Sequence, residues 1–579
     1  MAIYRSDQAQ LTFGVEAAPG GYPELASSVT AASGSDAGAC LINMTSGLPA
    51  GSRSITVDGM SADEFAIGDL IQIGPGVSGS GTARASEIRR VEFVEGTTTL
   101  VLDTPTAFFH VNDTDITIVT AVSDTANDKL MTFIPGVYET IEVPDPEMAI
   151  EPRYFLGTAS KRNFYAAYKG QQTYTGSLGG FVMLDGRALR FPIGKVNSTT
   201  AFVNTAGGGT PTYGATINNA SGVKKGDIHV NIDQCSTAVP VGAHLLFTGS
   251  TTATTTSSST CEIRKHVGSA STALVQLDAP LQFDHADNEF IYKIVTSAGG
   301  TTVQSDAQDP STAVTYTHTI AETVDLDSVS WHVHVRDSSE TDANDFDRRY
   351  HGGKIGNMGL SAEEGGLLTC SWDGVNFLGM NHNQQSMSGV TGDLPFYTIM
   401  QAIRNANISL PTSEPYYFSQ GQVTLFGSVV ARVRSFSLSV NNNEEPRYYL
   451  KRTMGRHRGP TEILEQRREY TCSVTLALPD ATAYNATTAT VFKELLMEGD
   501  FGSGMQGFTI ELRFDRGTDD SIVITIPSDG TAATGGNEQG AFIRTAPHAI
   551  TEANPMEVEA DILFRNLSIV VTDTVPVYP

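Results

Sequence analysis

Apolar and polar residues alternate with period two along much of this chain. Phe436, Leu438 and Val440 alternate with Ser435, Ser437 and Ser439, which predicts a strand with one buried and one polar face. Cys472, Val474 and Leu476 repeat the pattern. Met556, Val558, Ala560 and Ile562 alternate with Glu557, Glu559 and Asp561, so one strand carries a row of carboxylates on its second face. Helical periodicity is rare. Val491, Phe492, Leu495 and Leu496 predict a helix from about Thr488 to Glu498, with Gly499 placed to end it. A shorter helix is predicted near Met183 to Phe191, stopped by Pro192. The fold class is mainly β.

The pattern also repeats itself at two length scales. Glu151-Pro152-Arg153-Tyr154-Phe155-Leu156 returns as Glu445-Pro446-Arg447-Tyr448-Tyr449-Leu450, and each copy precedes a strand, around Tyr174 and around Tyr470. Separately, Glu87-Ile88-Arg89-Arg90, Leu102-Asp103-Thr104-Pro105 and His110 match Glu262-Ile263-Arg264-Lys265, Leu277-Asp278-Ala279-Pro280 and His285. The second pair marks two small all-β modules, 39–122 and 210–295. Removing them leaves a first unit of 1–38, 123–209 and 296–392 and a second unit of 393–579. A chain built from duplications is more often a scaffold than a one-site enzyme. The Thr/Ser-rich segment Gly249–Thr260 reads as a mobile module tip.

Composition narrows the class. The chain has 579 residues, too many for one core. It is 40% hydrophobic, enough for cores, and only 17% charged, so the surface is rich in Thr, Ser, Asn and Gly. A net charge of −27 argues against a general grip on nucleic acid. Five scattered cysteines without CxxC spacing suggest reduced, buried thiols in a protein made in the cytoplasm. No apolar signal core or bilayer-length run is present, so membrane insertion is not expected.

Motifs that could carry chemistry are few and incomplete. Gly74-Pro75-Gly76-Val77-Ser78-Gly79 matches GxGxxG, but strand signals rather than a helix follow it, which favours a hairpin loop. Asp342 to Asp347 lacks the Gly and Glu of a calcium loop. His332 and His334 alternate on one strand with no third ligand nearby, and read as surface or interface residues. His110 and His285 read as turn-stabilising. No nucleophile elbow, HExxH or paired-carboxylate signature occurs; an enzyme, a cofactor and a metal are not expected.

Several stretches, taken in order, resemble the tail tube proteins of long-tailed bacteriophages and related archaeal viruses. In the second unit these are PYYFSQGQVTLFGSVVARVRSFSLSVNNNEEPRYYL (Pro415 to Leu450), EILEQRREYTCSVTLAL (Glu462 to Leu478) and NPMEVEADILFRNLSIVVTD (Asn554 to Asp573). In the first they are QLTFGVEAAPG (Gln10 to Gly20), SVSWHVHVRD (Ser328 to Asp337) and Arg348 to Gly374. The resemblance implies two tandem β-sandwich domains, each with a short helix and a long hairpin loop, interrupted by the two modules. It implies a homo-oligomer whose inner strands join into one barrel around a lumen. Rings of this family need six such domains, so a chain carrying two is expected to form trimeric, pseudo-sixfold rings that stack head to tail. The implied partners are other copies of itself, a tape-measure protein, tail-end proteins and double-stranded DNA passing without sequence-specific binding. The implied location is the virion tail, assembled in the host cytoplasm.

Two groups of residues are candidates for function on this reading. Arg447, Lys451, Arg452, Arg456 and Arg458, with Lys161, Arg162 and Lys169 in the first copy, fall where the long loops would lie. They are read as an arm reaching the next ring, a solvated loop, or a contact to DNA in the lumen. Glu557, Glu559 and Asp561 either line the channel, repelling phosphate, or form an acidic outer face. The modules are expected on the outside of a non-contractile tube. The alternative is a virion adhesin or baseplate component binding host-surface carbohydrate, and a third reading is a secreted carbohydrate-active enzyme.

Overall fold

A computed structural model describes residues 4–16, 19–20, 26–31, 40–61, 64–77, 87–106, 108–122, 132–138, 140–153, 166–200, 215–235, 238–252, 257, 259–297, 300–303, 315–337, 346–382, 408–409, 413–425, 428–430, 433–449, 458–477, 508–517, 519–528, 541–545 and 557–578. The helix expected over Thr488 to Glu498 and the loop from Asp342 to Asp345 lie outside these residues.

The principal strands, in chain order, are β1 (Tyr4–Val15), β2 (Ile141–Glu142), β3 (Thr175–Met183), β4 (Gly194–Thr200), β5 (Tyr316–Glu322), β6 (Val329–Asp337), β7 (Phe346–Glu363), β8 (Thr369–Asn376), β9 (Gly379–His382), β10 (Gly421–Leu425), β11 (Val433–Asn441), β12 (Glu469–Ala477), β13 (Ile510–Asp515), β14 (Ser521–Ile526), β15 (Ala541–Thr545), β16 (Glu557–Phe564) and β17 (Ser568–Asp573). They form two facing layers. One layer runs β2-β3-β8-β7 and then β11-β12-β16-β15. The facing layer runs β9-β7-β6-β1 in the first half of the chain and β17-β14-β13-β10 in the second. The two halves therefore have the same strand order in both layers. β7, at 18 residues, serves both layers of the first half, a task that β14 and β15 divide in the second. The halves are joined by β7 against β11 in one layer, and in the other by β5, which pairs β4 on one side and β17 on the other.

Period-two patterning explains why these strands pack this way. Phe436, Leu438 and Val440 point inward with Val474, Leu476 and Ile562, and they meet Leu512, Ile524 and Val571 of the facing layer. In the first half Phe13 lies edge-on to both Trp331 and Trp372, at 5.5 and 5.4 Å between ring centroids. Each such fully buried large side chain contributes about 1.5–3 kcal/mol. One continuous apolar cluster runs through both halves.

The short helix differs from expectation. It spans Arg187–Ile193, not Met183 to Phe191, and Pro192 lies within it. Met183 ends β3, because the inward alternation of that strand continues to its last residue. The fixed φ of Pro192 suits a helix, and the Gly194 amide still reaches the Arg190 carbonyl to close the final turn.

Each module has its own small core. The first contains strands Ser54–Thr56, Leu70–Val77, Glu87–Glu95, Thr99–Leu102 and Thr114–Val122, with Ala26–Ala31 paired to the last of these. Leu70–Val77 takes in the first four residues of the glycine motif, Gly74 to Val77, and the described chain resumes as another strand at Glu87. The second contains Ala215–Ile217, His229–Asp233, His244–Phe247, Glu262–Lys265, Leu274–Gln276 and Phe290–Ser297. Their likeness extends to backbone detail. Leu48 bridges His110 and Val223 bridges His285. Gly47 and Gly222 precede those bridges at φ +75° and +68°, and a Cβ at either would fall 2.7 or 2.3 Å from the histidine carbonyl. Among the described residues no helix is long and apolar enough to cross a membrane.

Candidate functional site

The layer that begins with β2 has one face in the core and one face open, and the open face is built almost wholly of small polar side chains. Register carries single rows across it. Thr369, Ser361, Ser437, Ser473 and Asp561 are successive partners across β8, β7, β11, β12 and β16. The next row in one direction is Glu363, Ser435, Thr475 and Glu559, and in the other Ser371, Gly359, Ser439, Thr471 and Leu563. The first two rows cross from the first half to the second without a break in polarity. Serine and threonine on strands favour this arrangement, because their hydroxyls bond to neighbours and to water while the branched threonine suits the pleat.

Glu557, Glu559 and Asp561 all lie on this open face of β16. Each already has a partner. Arg434 bonds Glu557 and also donates Nε to Glu364 at 2.9 Å. Ser473 Oγ donates to Glu559 at 3.2 Å. Arg544 donates Nε and Nη2 to Asp561 Oδ2 at 2.8 and 2.5 Å. The row is thus a stripe of carboxylates partly balanced by two arginines at its ends. These pairs are exposed, so they set the character of the face more than its stability.

The candidate arm residues sit at the other end of the same strands. Lys169 lies exposed on a two-stranded ribbon, Glu147–Arg153 against Ala166–Thr173. Arg447 lies on a second ribbon, Glu445–Arg447 against Glu462–Leu464, where it donates to Glu445 at 2.8 Å. Arg458 joins the ribbons: its guanidinium bonds the Lys169 carbonyl, and its own carbonyl accepts from the Gln172 amide at 3.1 Å. Tyr448 Oη adds a bond to the Gln172 carbonyl at 3.2 Å. The structure brings Lys169 and Arg458 together and leaves Arg447 on the neighbouring ribbon. Lys161, Arg162, Lys451, Arg452 and Arg456 lie outside the described residues.

Two buried polar clusters were not legible as such in the sequence. In the second module Glu262 and Arg264 are paired at 2.6 Å with no exposure, and Glu262 Oε1 also meets His285 Nε2 at 2.9 Å. His285 Nδ1 meets Glu289 at 2.8 Å. Burial alone would lower the His285 pKa, but the hydrogen bonds and charges of Glu262 and Glu289 outweigh it and raise the value to about 9. The first module repeats the core of this arrangement, with Glu87–Arg89 at 2.6 Å and Glu87–His110 at 2.7 Å. These histidines do more than brace a turn: they are interior members of charged clusters. The signal was the conserved spacing between the two copies, which paired the residues without saying that they touch.

The second cluster centres on Tyr578. Its hydroxyl donates to Asp573 at 2.5 Å and accepts the Gly186 amide at 3.0 Å, and its ring stacks on His318 at 3.7 Å. Its carbonyl accepts from Arg264 and Gln282 of the second module at 3.4 and 3.3 Å. Ser198 Oγ meets His318 Nδ1 at 2.8 Å, and Asp573 lies 3.5 Å from His318 Nε2. The closer partner of His318 Nε2 is the Val575 carbonyl at 2.8 Å, so the group is a sealed, fully buried polar cluster and not a catalytic Ser-His-Asp relay. It acts as a clamp between module and scaffold.

His332 and His334, expected at a surface or interface, are both buried in the chain. Their strand is covered on both sides by β1 and β7. His332 accepts or donates to Ser330 Oγ at 3.0 Å, and burial beside Arg349 drives its pKa well below the ordinary value, so the ring is neutral.

No curated protein matches the chain. The family model for the phage tail tube protein matches residues 4–562, nearly its full length. The chain therefore belongs to the phage tail tube protein family: it is a structural protein of the virion tail that self-assembles into a tube.

Proposed function

We propose that three copies of this chain close into a pseudo-sixfold ring, and that stacked rings form the conduit through which double-stranded DNA is delivered. One observation carries the reading. The order β2-β3-β8-β7 is repeated as β11-β12-β16-β15, and β7 pairs with β11 as one ring neighbour would pair with the next. The chain already contains one joint of the ring. Repeating it leaves the edge of β15 to meet the edge of β2 in another copy, which removes the open edges.

On this reading the two halves are the tail-tube domains, 1–38 with 123–209 and 296–392, and 393–579. The modules 39–122 and 210–295 face outward, and the first carries the strand Ala26–Ala31 as well. The hydroxyl rows with Glu557, Glu559 and Asp561 line the lumen. Hydrated hydroxyls and net negative charge give DNA no phosphate-binding groups to cling to. The ribbons bearing Lys169 and Arg447, joined by Arg458, reach the adjacent ring, and Lys161, Arg162, Lys451, Arg452 and Arg456 are assigned to the same contact from the sequence. A tape-measure protein fills the lumen during assembly, tail-end proteins close the tube, and outward modules leave no room for a contractile sheath. Assembly takes place in the host cytoplasm.

Native mass spectrometry of assembled rings tests the stoichiometry. The expected ring mass is three times the 61.7 kDa of one chain; six times that mass would refute it.

A further inference from the structure

The joint inside the chain predicts the joint between chains residue by residue. In the first half, Ile141, Leu178, Trp372 and Met358 form one inward row across β2, β3, β8 and β7. In the second half, Leu438, Cys472, Ile562 and Ile543 form the equivalent row across β11, β12, β16 and β15. Met358 faces Val440, two residues past Leu438. By the same step Ile543 faces the residue two past Ile141, which is Val143. Val143 and Ile141 are half-buried against the core, and Ile543 is buried, so this register continues the apolar layer. It also brings Arg544, which sits at the register shift between Ile543 and Thr545, beside Glu142 on the polar face, where Gly359 stands opposite Ser439 in the internal joint.

We infer that β15 of one copy pairs antiparallel with the segment around β2 of a second copy, with Arg544 bonded to Glu142 of that copy. This rests on the ring reading above and adds its register and its ion pair. Charge supports it. Arg544 is 58% exposed and now serves only Asp561 among the described residues. Among the described residues, Glu142 lies on the opposite unpaired edge and accepts only the Ser177 hydroxyl, at 2.7 Å. At the internal joint those two positions are Gly359 and Ser439, but elsewhere along it Arg434 of β11 reaches Glu364 of the first half and Glu557 of the second at once, so an arginine beside such a joint can bridge both sides. Arg544 would hold Asp561 of its own chain and Glu142 of the next in the same way. Like charges placed at this position would repel across every joint between chains.

The test uses the full chain and three charge variants, Arg544→Glu, Glu142→Arg and the double exchange, with ring formation followed by light scattering and negative-stain microscopy. Each single reversal should raise the concentration needed for rings about tenfold or more, and the double exchange should restore assembly. Thermal melting checks that each variant folds. A cysteine pair, Ile543→Cys with Val143→Cys, gives an independent readout, because facing strand residues lie within disulfide reach. Oxidation should yield a covalent ladder that ends at three chains, whereas Ser361→Cys with Ser437→Cys should cross-link within one chain and leave the mass unchanged. Rings that form normally in both single reversals, or that form without a ladder, would overturn this pairing while leaving the ring itself standing. Wild-type protein that never forms rings would overturn the ring and this joint together.

Discussion

Ser361 and Ser437 stand directly opposite each other, one from each half of the chain, in the strand pair that joins the halves. Their neighbours on the inward side, Leu360 and Leu438, are also opposed and fully buried. The joint thus reproduces the interior of a single sheet, polar on one face and packed on the other.

Truncating that joint should uncouple folding of the halves. Leu360→Ala and Leu438→Ala are each expected to destabilise the chain by about 2–5 kcal/mol, the range for a buried leucine that leaves a cavity. Because the two side chains share one cavity, the double variant should cost less than the sum. Urea denaturation of the isolated chain measures both effects.

The second module should lose stability in mild alkali. His285 is charged in the folded state with a pKa of about 9, above the ordinary value of about 6.5. Its contribution is therefore fully present below about pH 6.5 and is lost as pH rises through about 9. Glu262 has the opposite sign: burial raises its pKa, but Arg264 and His285 lower it further, so its contribution is lost only as acid titrates the depressed carboxylate. A thermal melt that falls from pH 7 to 9, and a flat profile in His285→Gln, would bear this out; identical slopes would count against it.

The Tyr578 clamp should hold the second module rigidly. Tyr578→Phe removes the donor to Asp573 and the acceptor for the Gly186 amide, and each buried group left unpaired costs about 1–3 kcal/mol. Amide exchange should quicken around Gly186 and in the residues that face the Tyr578 carbonyl. Unchanged exchange would mean that packing alone seats the module.

Reversing the charge of Glu559, which lies on the open face away from the joints between chains, should alter DNA passage rather than assembly. Glu559 bonds only the Ser473 hydroxyl among the described residues, so Glu559→Lys should leave tubes intact. Those tubes should retain double-stranded DNA at low salt and release it as salt rises. Retention by neither form would place this face away from DNA.

Much of the architecture was readable from the residues. Alternation at Phe436 to Val440 and at Cys472 to Leu476 identified β11 and β12 and their buried faces, and both recurring Glu-Pro-Arg segments fall on the strands of two-stranded ribbons. What escaped was long-range. Nothing local to Ser361 or Ser437 says that they will meet, because strand pairing is settled by which edges remain free after each half has folded. The burial of His332 depends on β7, which follows its own strand closely, and on β1, which lies far before it, near the start of the chain. The short helix was misplaced because Met183 serves a strand pattern and a helix pattern equally well until its neighbours are known.

A cryo-electron microscopy map of the assembled tube tests the central claim most directly. The account predicts three chains per ring, each giving eight strands to a closed inner barrel, with the β15 edge of one chain against the β2 edge of the next. Six chains in a ring, or an inner wall built from only one half of each chain, would contradict it.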